Sequence, residues 1–159
     1  EIDIMENFQR GPGSRGESFY SVAHSAKHSW GTGNPLSGGN SEPLDLNEFH
    51  TSRLDWSPDK LEFFVDGKPT WSLERSPGST NYDWPYNQPN FIILNLAIGG
   101  NGLGGVLPHD SAYPLTYVID YVSIRALGPQ PPPLPPSPPD PPMPPWTPPC
   151  GVASCTRAV

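Results

Sequence analysis

The chain has 159 residues, with 16 acidic and 9 basic side chains and a formal net charge of -7 at pH 7. Nucleic acid is excluded as an expected partner, because phosphate binding needs clustered Lys and Arg. No apolar run approaches the roughly 20 residues that cross a bilayer, so no membrane span is predicted. The sequence starts without an initiator Met or a signal peptide, and we expect a fragment whose N-terminal part is missing.

Residues 1–127 are predicted to be all-β, as a sandwich or barrel. Long helical periodicity is absent, and Gly, Pro, Asn and Ser recur at short intervals. Glu1–Phe8 alternates and predicts a strand, and Ser18–Ser25 predicts a second. Trp30–Asn47 is rich in Gly and Ser and is predicted to be a loop.

A hairpin is predicted next, followed by a further short strand. Its strands are Phe49–Trp56 and Lys60–Val65, and Asp66-Gly67 is a tight-turn dipeptide that leads into Pro69–Leu73. Three aromatic residues of this region are assigned to the core: Trp56, Phe63 and Trp71.

Two later strands are predicted from composition. Asn90–Ile98 is expected to be the most buried strand, ended by the glycines from Gly99 to Gly102, and Tyr117–Ala126 is rich in β-branched residues. Asn95 interrupts the first of these apolar strands. A buried Asn must be hydrogen-bonded, so Asn95 is expected to line a cleft or to tie the sandwich together.

The chain changes character at Gly128. Fourteen of the 24 prolines lie between Pro129 and Pro149, so residues 128–149 are predicted to be a disordered polyproline II linker or stalk that forms no packed core. Residues 150–159 form a short tail with Cys150 and Cys155. These could close a disulfide loop in an oxidising compartment or remain free thiols.

Three acids stand close together in EIDIMEN. On a regular strand Glu1 and Asp3 share a face, whereas Glu6 should point to the other one. A β-bulge near Ile4–Met5 would return Glu6 to the face of Glu1 and Asp3, and bulges do re-aim side chains beside active sites. The pattern predicts either a retaining pair of carboxyl groups about 5–5.5 Å apart or a solvated acidic face.

Four further stretches after EIDIMEN favour the retaining pair over the solvated face. The sequence resembles the laminarinase-like (β-1,3-glucanase) members of glycoside hydrolase family 16 over about residues 1–126. The matching stretches, in chain order, are EIDIMEN, SVAHS, EFHTSRLDWSPDKLEFFVDGKP, YDWPYNQPNFIILNLAIGGN and VIDYVSI. The resemblance implies a concanavalin-like β-jelly-roll sandwich whose bulged strand carries the motif Glu-x-Asp-x-x-Glu. It implies Glu1 as nucleophile, Asp3 as assisting acid and Glu6 as general acid/base.

The same resemblance suggests further contacts. His24 is a candidate contact for the sugar or the nucleophile, and Trp84 is either a sugar-stacking ring or a core residue. The remaining histidines, His28, His50 and His109, lack metal-ligand spacing and are assigned structural or solvated roles. The family often has a Trp after Gly-Gly-Asn, whereas Gly102 and Leu103 follow Asn101 here.

The family's chemistry requires no cofactor, but its members often bind a structural Ca²⁺, for which Asp120 is the candidate ligand. The expected partner is a β-glucan with β-1,3 or mixed β-1,3/1,4 linkages. The expected location is extracellular, with cell-wall association through the Pro-rich tail. Two alternatives stay open: a non-catalytic β-glucan-binding module, and a structural cell-wall glycoprotein with a Pro-rich stalk.

Overall fold

The computed structural model describes residues 1–7, 18–39, 42–99, 109–110, 113–126, 128 and 156–158. These residues form three three-stranded sheets with the strand orders β1-β2-β3, β5-β6-β7 and β4-β9-β8. The strands are β1 (Ile2–Glu6), β2 (Tyr20–Ala23), β3 (Leu36–Gly38), β4 (Phe49–His50), β5 (Ser52–Ser57), β6 (Lys60–Val65), β7 (Lys68–Glu74), β8 (Tyr117–Ile119) and β9 (Thr156–Ala158). The prediction of an all-β chain is confirmed for this part of the sequence.

The sheet β5-β6-β7 is an antiparallel meander, as the sequence predicts. Ser57 pairs with Lys60 across the first turn, and Val65 pairs with Lys68 across the second. In the second turn both central residues have positive φ, 49° at Asp66 and 76° at Gly67. This is the mirror-image turn whose twist matches that of the flanking strands, and it explains why Asp-Gly joins them.

Strand β6 supplies much of the core. Its side chains alternate strictly between buried and half-buried, and Leu61, Phe63 and Val65 point inward. Each such side chain contributes about 1.5–3 kcal/mol through burial. Leu61 and Phe63 pack with Ala23 of β2 in one cluster, and Val65 packs in a second. The core therefore joins the meander to the sheet that carries the acidic motif.

The predicted loop Trp30–Asn47 contains regular structure. Trp30–Thr32 is a 3-10 helix, and Leu36–Gly38 is strand β3, paired with β2. Glycine suits this strand because a Cβ at Gly38 would lie 2.6 Å from Nε1 of Trp71. The glycine marks a close approach of backbone and ring rather than the absence of a strand.

The prediction of a buried strand at Asn90–Ile98 is wrong. None of these residues lies in a strand, and all of them are exposed; Phe91, for example, is 83% exposed. Apolar composition indicates that a segment favours burial, but burial needs a neighbouring element. No strand of the described residues pairs with this one. Asn95 is therefore exposed, against the expectation of a buried amide.

The last predicted strand is shorter than expected. Only Tyr117–Ile119 of Tyr117–Ala126 is paired, and Tyr121 and Ile124 beyond it are exposed. Strand β9 runs parallel to both β4 and β8 and lies within the predicted tail. Residues 129–155, which contain most of the predicted Pro-rich linker and both cysteines, fall outside the described residues, as do Phe8 and residues 100–103.

The aromatic residues assigned to the core separate into two groups. Phe63 is 1% exposed, and Trp71 is half-buried and stacks on it with ring centroids 5.1 Å apart, as predicted. Trp56 is 37% exposed, so its assignment to the core is wrong. Its indole N–H donates to the carbonyl oxygen of Tyr86, which holds the ring at the edge of the core instead.

Within the described residues, no helix is long and apolar enough to cross a membrane.

Candidate active site

The acidic motif lies on a bulged strand. Asp3 pairs with Val22 and Glu6 with Tyr20, so three steps along β1 match two steps along β2. The extra residue restores Glu6 to the side of Asp3, and the predicted bulge is confirmed. The inward face of β1 also shows a spacing of three residues. Ile2 and Met5 pack against the two core clusters, and Ile4 between them is exposed.

A hydroxyl group supports the bulge. Ser21 is 3% exposed, and its Oγ donates a hydrogen bond of 3.0 Å to the carbonyl oxygen of Ile4. A bulge removes one residue from the regular ladder, and the Ser21 hydroxyl gives the carbonyl of Ile4 a donor there, which contributes about 0.5–1.5 kcal/mol. Ser21 was not among the residues predicted from the sequence. Its signal was a polar residue in the otherwise apolar strand β2, opposite the acidic motif.

The backbone places His24 beside the first acid. The His24 amide donates to the carbonyl oxygen of Glu1 at 2.9 Å, which extends the β1–β2 ladder by one residue. The imidazole Nε2 then lies 3.4 Å from Oδ2 of Asp3. Both side chains are mostly shielded, with 18% and 20% exposure. The predicted candidate His24 thus contacts the predicted assisting acid.

Burial and mutual repulsion raise the pKa of two of the acids. Burial raises the pKa of Asp3 to about 6, and the neighbouring charge of Glu1 adds to the effect. Burial likewise raises the pKa of Glu6 to about 7, with further contributions from the charges of Asp3 and Glu1. A carboxyl group with a pKa near 7 still holds its proton in mildly acidic solution and can donate it.

Such a cluster can perform acid/base chemistry on a bound substrate. Glu1 is exposed and accessible to solvent, whereas Asp3 and Glu6 are half-buried. A hydrogen bond links the carboxyl groups of Asp3 and Glu1. The site therefore offers an open carboxylate, a partner that hydrogen-bonds to it and a proton donor further along the strand.

The other predicted site residues do not all join this cluster. Trp84 is 4% exposed, lies in the core with Tyr86 and donates its indole N–H to the carbonyl oxygen of Pro58 at 2.8 Å. It offers no open ring face to a sugar. Asn95 is exposed, and no hydrogen bond joins it to the acids. Asp120 is exposed, and among the described residues it belongs to no group of acidic or His side chains that could hold a metal ion.

Two exposed aromatic rings, which were not predicted as site residues, lie on loops next to the acidic strand. Trp30 is 69% exposed and Tyr82 is 60% exposed. The backbone of Lys27 connects their loops, since its amide donates to the carbonyl oxygen of Tyr82 and its carbonyl oxygen accepts from Oγ1 of Thr32. The loop with Trp30 follows directly after His24. An aromatic residue within a Gly- and Ser-rich stretch was the available signal.

The model of glycosyl hydrolases family 16 matches residues 1–123. The chain is 32% identical over 135 residues to glucan endo-1,3-beta-glucosidase A1 of Niallia circulans, covering 78% of the chain and 19% of that protein. It is 38% identical over 112 residues to glucan endo-1,3-beta-glucosidase of Cryptopygus antarcticus, covering 66% of the chain and 40% of that protein.

A third relative is the beta-1,3-glucan-binding protein of Penaeus monodon, which is 32% identical over 72 residues, or 34% of the chain and 19% of that protein. The chain thus spans less than half the length of each of these three relatives. No solved structure gives a significant match. The family model covers most of the chain, including the whole bulged acidic strand, and the chain accordingly belongs to glycosyl hydrolases family 16.

Proposed function

We propose that the protein is a retaining, endo-acting hydrolase of β-glucan, with β-1,3 or mixed β-1,3/1,4 linkages as its substrate. The observation that carries the proposal is the bulge between Asp3 and Glu6, which brings a carboxyl group with a pKa near 7 to the side of the other acids. The relatives named as glucan endo-1,3-beta-glucosidases support the choice of substrate. The jelly-roll architecture is part of the same proposal.

The reaction takes two displacements. The carboxylate of Glu1 attacks the anomeric carbon while Glu6 gives its proton to the departing glycosidic oxygen, so one C–O bond forms as another breaks. Water then attacks the same carbon, Glu6 takes a proton from it, and the ester bond to Glu1 breaks. Asp3 hydrogen-bonds to Glu1 and moderates its charge during both steps, and His24 positions Asp3.

Aromatic rings provide sugar contacts beyond the scissile bond in this proposal. The exposed faces of Trp30 and Tyr82 can cover the apolar face of a pyranose ring, and the hydrogen bonds around Lys27 hold both loops in place. Trp84, whose ring is enclosed, supports the strands from within.

The test is hydrolysis of laminarin by the full-length protein, with Glu1→Gln as the variant and Glu42→Gln, an exposed acid outside the cluster, as its matched control. We expect Glu1→Gln to abolish the release of reducing ends, and the control to release them at the wild-type rate. NMR of the first product should show the β-anomer before mutarotation. Continued hydrolysis by Glu1→Gln, or an α-anomer as first product, would contradict the mechanism.

A non-catalytic β-glucan-binding module is the second candidate, favoured by the relative from Penaeus monodon that is named as a beta-1,3-glucan-binding protein. Laminarin binding with no release of reducing ends would support it.

We further propose an extracellular, wall-associated location, supported by the proline content of residues 129–149. Deleting that segment should then release the protein from isolated cell walls, and retention of the deleted form would contradict the role of the stalk.

A further inference from the structure

Glu1, Asp3 and His24 form a group whose members all carry atoms that bind metals. One carboxylate oxygen of each acid and one imidazole nitrogen lie within 4.8 Å of one another. The group contains more than acids, since imidazole nitrogen is a ligand that Zn²⁺, Cu²⁺ and Ni²⁺ prefer and that Ca²⁺ and Mg²⁺ rarely use. Among the described residues, no other group of three or more His, Cys, Asp or Glu residues is arranged in this way.

The spacing of two of the ligands fits a tetrahedral ion. With metal–ligand bonds of about 2.0–2.2 Å, two corners of a tetrahedron are about 3.4 Å apart. The separation of Nε2 of His24 and Oδ2 of Asp3 is 3.4 Å. The third ligand adjusts easily, because Glu1 is exposed and its carboxylate can approach by rotation about its side-chain bonds.

The surroundings also favour a cation. Glu6 adds a third carboxyl group on the same side of the strand, and among the described residues no Lys or Arg side chain forms a salt bridge with these acids. The backbone brings two of the ligand residues together before any ion arrives, since the His24 amide donates to the Glu1 carbonyl oxygen at 2.9 Å. One side of the group remains open to solvent for a water ligand, as in zinc sites with three protein ligands.

We propose that Glu1, Asp3 and His24 bind a divalent transition-metal ion, with Zn²⁺ as the representative, and that the bound ion inhibits the protein reversibly. The ion takes the lone pairs of the Glu1 and Asp3 carboxylates, so that the nucleophile is withdrawn while the ion is present. Binding of the ion stands on geometry alone, whereas inhibition rests on the proposed function.

Binding is tested with Zn²⁺ and the full-length protein in a non-chelating buffer, by isothermal titration calorimetry. Cys150 and Cys155 are changed to Ser in every sample, so that thiols do not bind the metal. We expect one Zn²⁺ per chain and an affinity at least about tenfold lower for His24→Ala. The matched control is His28→Ala, a half-buried histidine of the neighbouring loop that lies outside the group of ligands and should bind like the parent protein.

Three results would overturn the site: no saturable binding of Zn²⁺, an unchanged affinity in His24→Ala, or a loss of binding in His28→Ala. Circular dichroism and thermal melting establish whether each variant is folded. Asp3→Asn provides a second variant that preserves side-chain shape and removes one ligand charge. It should also weaken binding, and an Asp3→Asn protein that binds Zn²⁺ like its parent would contradict the assignment.

Laminarin hydrolysis separates this inference from the proposed function. Hydrolysis that Zn²⁺ inhibits and a chelator restores supports both. Hydrolysis that Zn²⁺ leaves unchanged overturns the inhibition and leaves the hydrolase proposal standing. Saturable Zn²⁺ binding by a protein that does not cleave laminarin overturns the hydrolase and leaves the metal site standing.

Discussion

The pH dependence of the proposed hydrolase should depend on the interaction between Asp3 and Glu6. The pKa of Glu6 rises from 4.5 to about 7, with burial as the first cause and the charges of Asp3 and Glu1 as the next. At pH 6 a carboxyl group with that pKa is about nine-tenths protonated, whereas one at the ordinary value would be only about 3% protonated. The acid form needed for the first displacement is therefore available up to about neutral pH.

Replacing Asp3 by Asn removes one of the charges that raise this pKa. Burial of Glu6 remains, because Asn occupies nearly the same volume, and the charge of Glu1 remains as well. We expect the alkaline limb of the pH profile to move down by about one pH unit, the scale of a single nearby charge. The maximum rate should also fall, because an amide cannot release and regain a proton as the Asp3 carboxyl group does, so the charge of Glu1 is no longer adjusted during the two displacements.

The assay is kcat/KM on laminarin between about pH 4 and 9, since that ratio reports the ionisations of the free enzyme. The ionisable groups that act on Glu6 are Asp3 and Glu1, and His24 in turn lies beside Asp3. Of these groups, only Asp3 changes in this variant. Asp59→Asn, in the exposed turn between β5 and β6, serves as the control and should keep the wild-type profile. A wild-type alkaline limb near pH 5, or a limb that Asp3→Asn does not move, would contradict the raised pKa of Glu6 and its dependence on the charge of Asp3.

Three further predictions concern other parts of the molecule. Gly38→Ala should lower the free energy of unfolding in urea by about 1–3 kcal/mol, because its Cβ would collide with Trp71. Trp30→Ala should raise KM for laminarin and leave kcat nearly unchanged, since a stacking contact holds ground state and transition state alike. His50→Gln should lower the melting temperature more at pH 5.5 than at pH 8. Burial of His50 opposes its charge, but hydrogen bonds from the ring to Asp66 and a backbone carbonyl outweigh burial and raise its pKa.

The sign of the last effect follows from the two partners. A raised pKa on His50 stabilises the fold below about pH 6.5 and loses this contribution as the pH rises through the folded-state pKa. The lowered pKa of Asp66 adds stability above about pH 4 that disappears on acidification. An equal loss at both pH values would contradict the pairing.

Matched controls exist for the other two predictions. Gly31→Ala places its Cβ 3.7 Å from the nearest atom and should leave the unfolding free energy nearly unchanged. Phe91→Ala removes an exposed ring outside the loops next to the acidic strand and should leave KM unchanged. An unchanged free energy of unfolding in Gly38→Ala would contradict the close contact between Gly38 and Trp71. A kcat that falls at constant KM in Trp30→Ala would contradict the stacking contact between Trp30 and the sugar.

The bulge could be predicted because two rules conflicted within six residues. Alternation placed Glu6 opposite Glu1 and Asp3, and only an inserted residue could reconcile the motif with a shared face. The meander was predictable for a similar local reason, since Asp66-Gly67 specifies its turn and the alternation of β6 specifies its buried side. Both features depend on neighbours in sequence.

Features that depend on distant neighbours were not predictable. The apolar run from Phe91 to Ile98 resembles a buried strand by composition, yet burial is decided by whatever packs on it. Trp84 and Trp30 show the same limit. By sequence alone, either indole could lie in the core or on the surface. Trp84 is held inside by the carbonyl oxygen of Pro58, which accepts its indole N–H, whereas Trp30 is placed on the surface by a short capped 3-10 helix.

The exposed run from Phe91 to Ile98 has a consequence for handling the protein. It contains eight residues without a charge or a proline, which is the composition of segments that stack between molecules into cross-β structure. The net charge of -7 keeps molecules apart at low ionic strength, but salt screens that repulsion over about 10 Å at 0.1 M. Solubility should therefore decline with added salt, and a single Lys within the run should restore it.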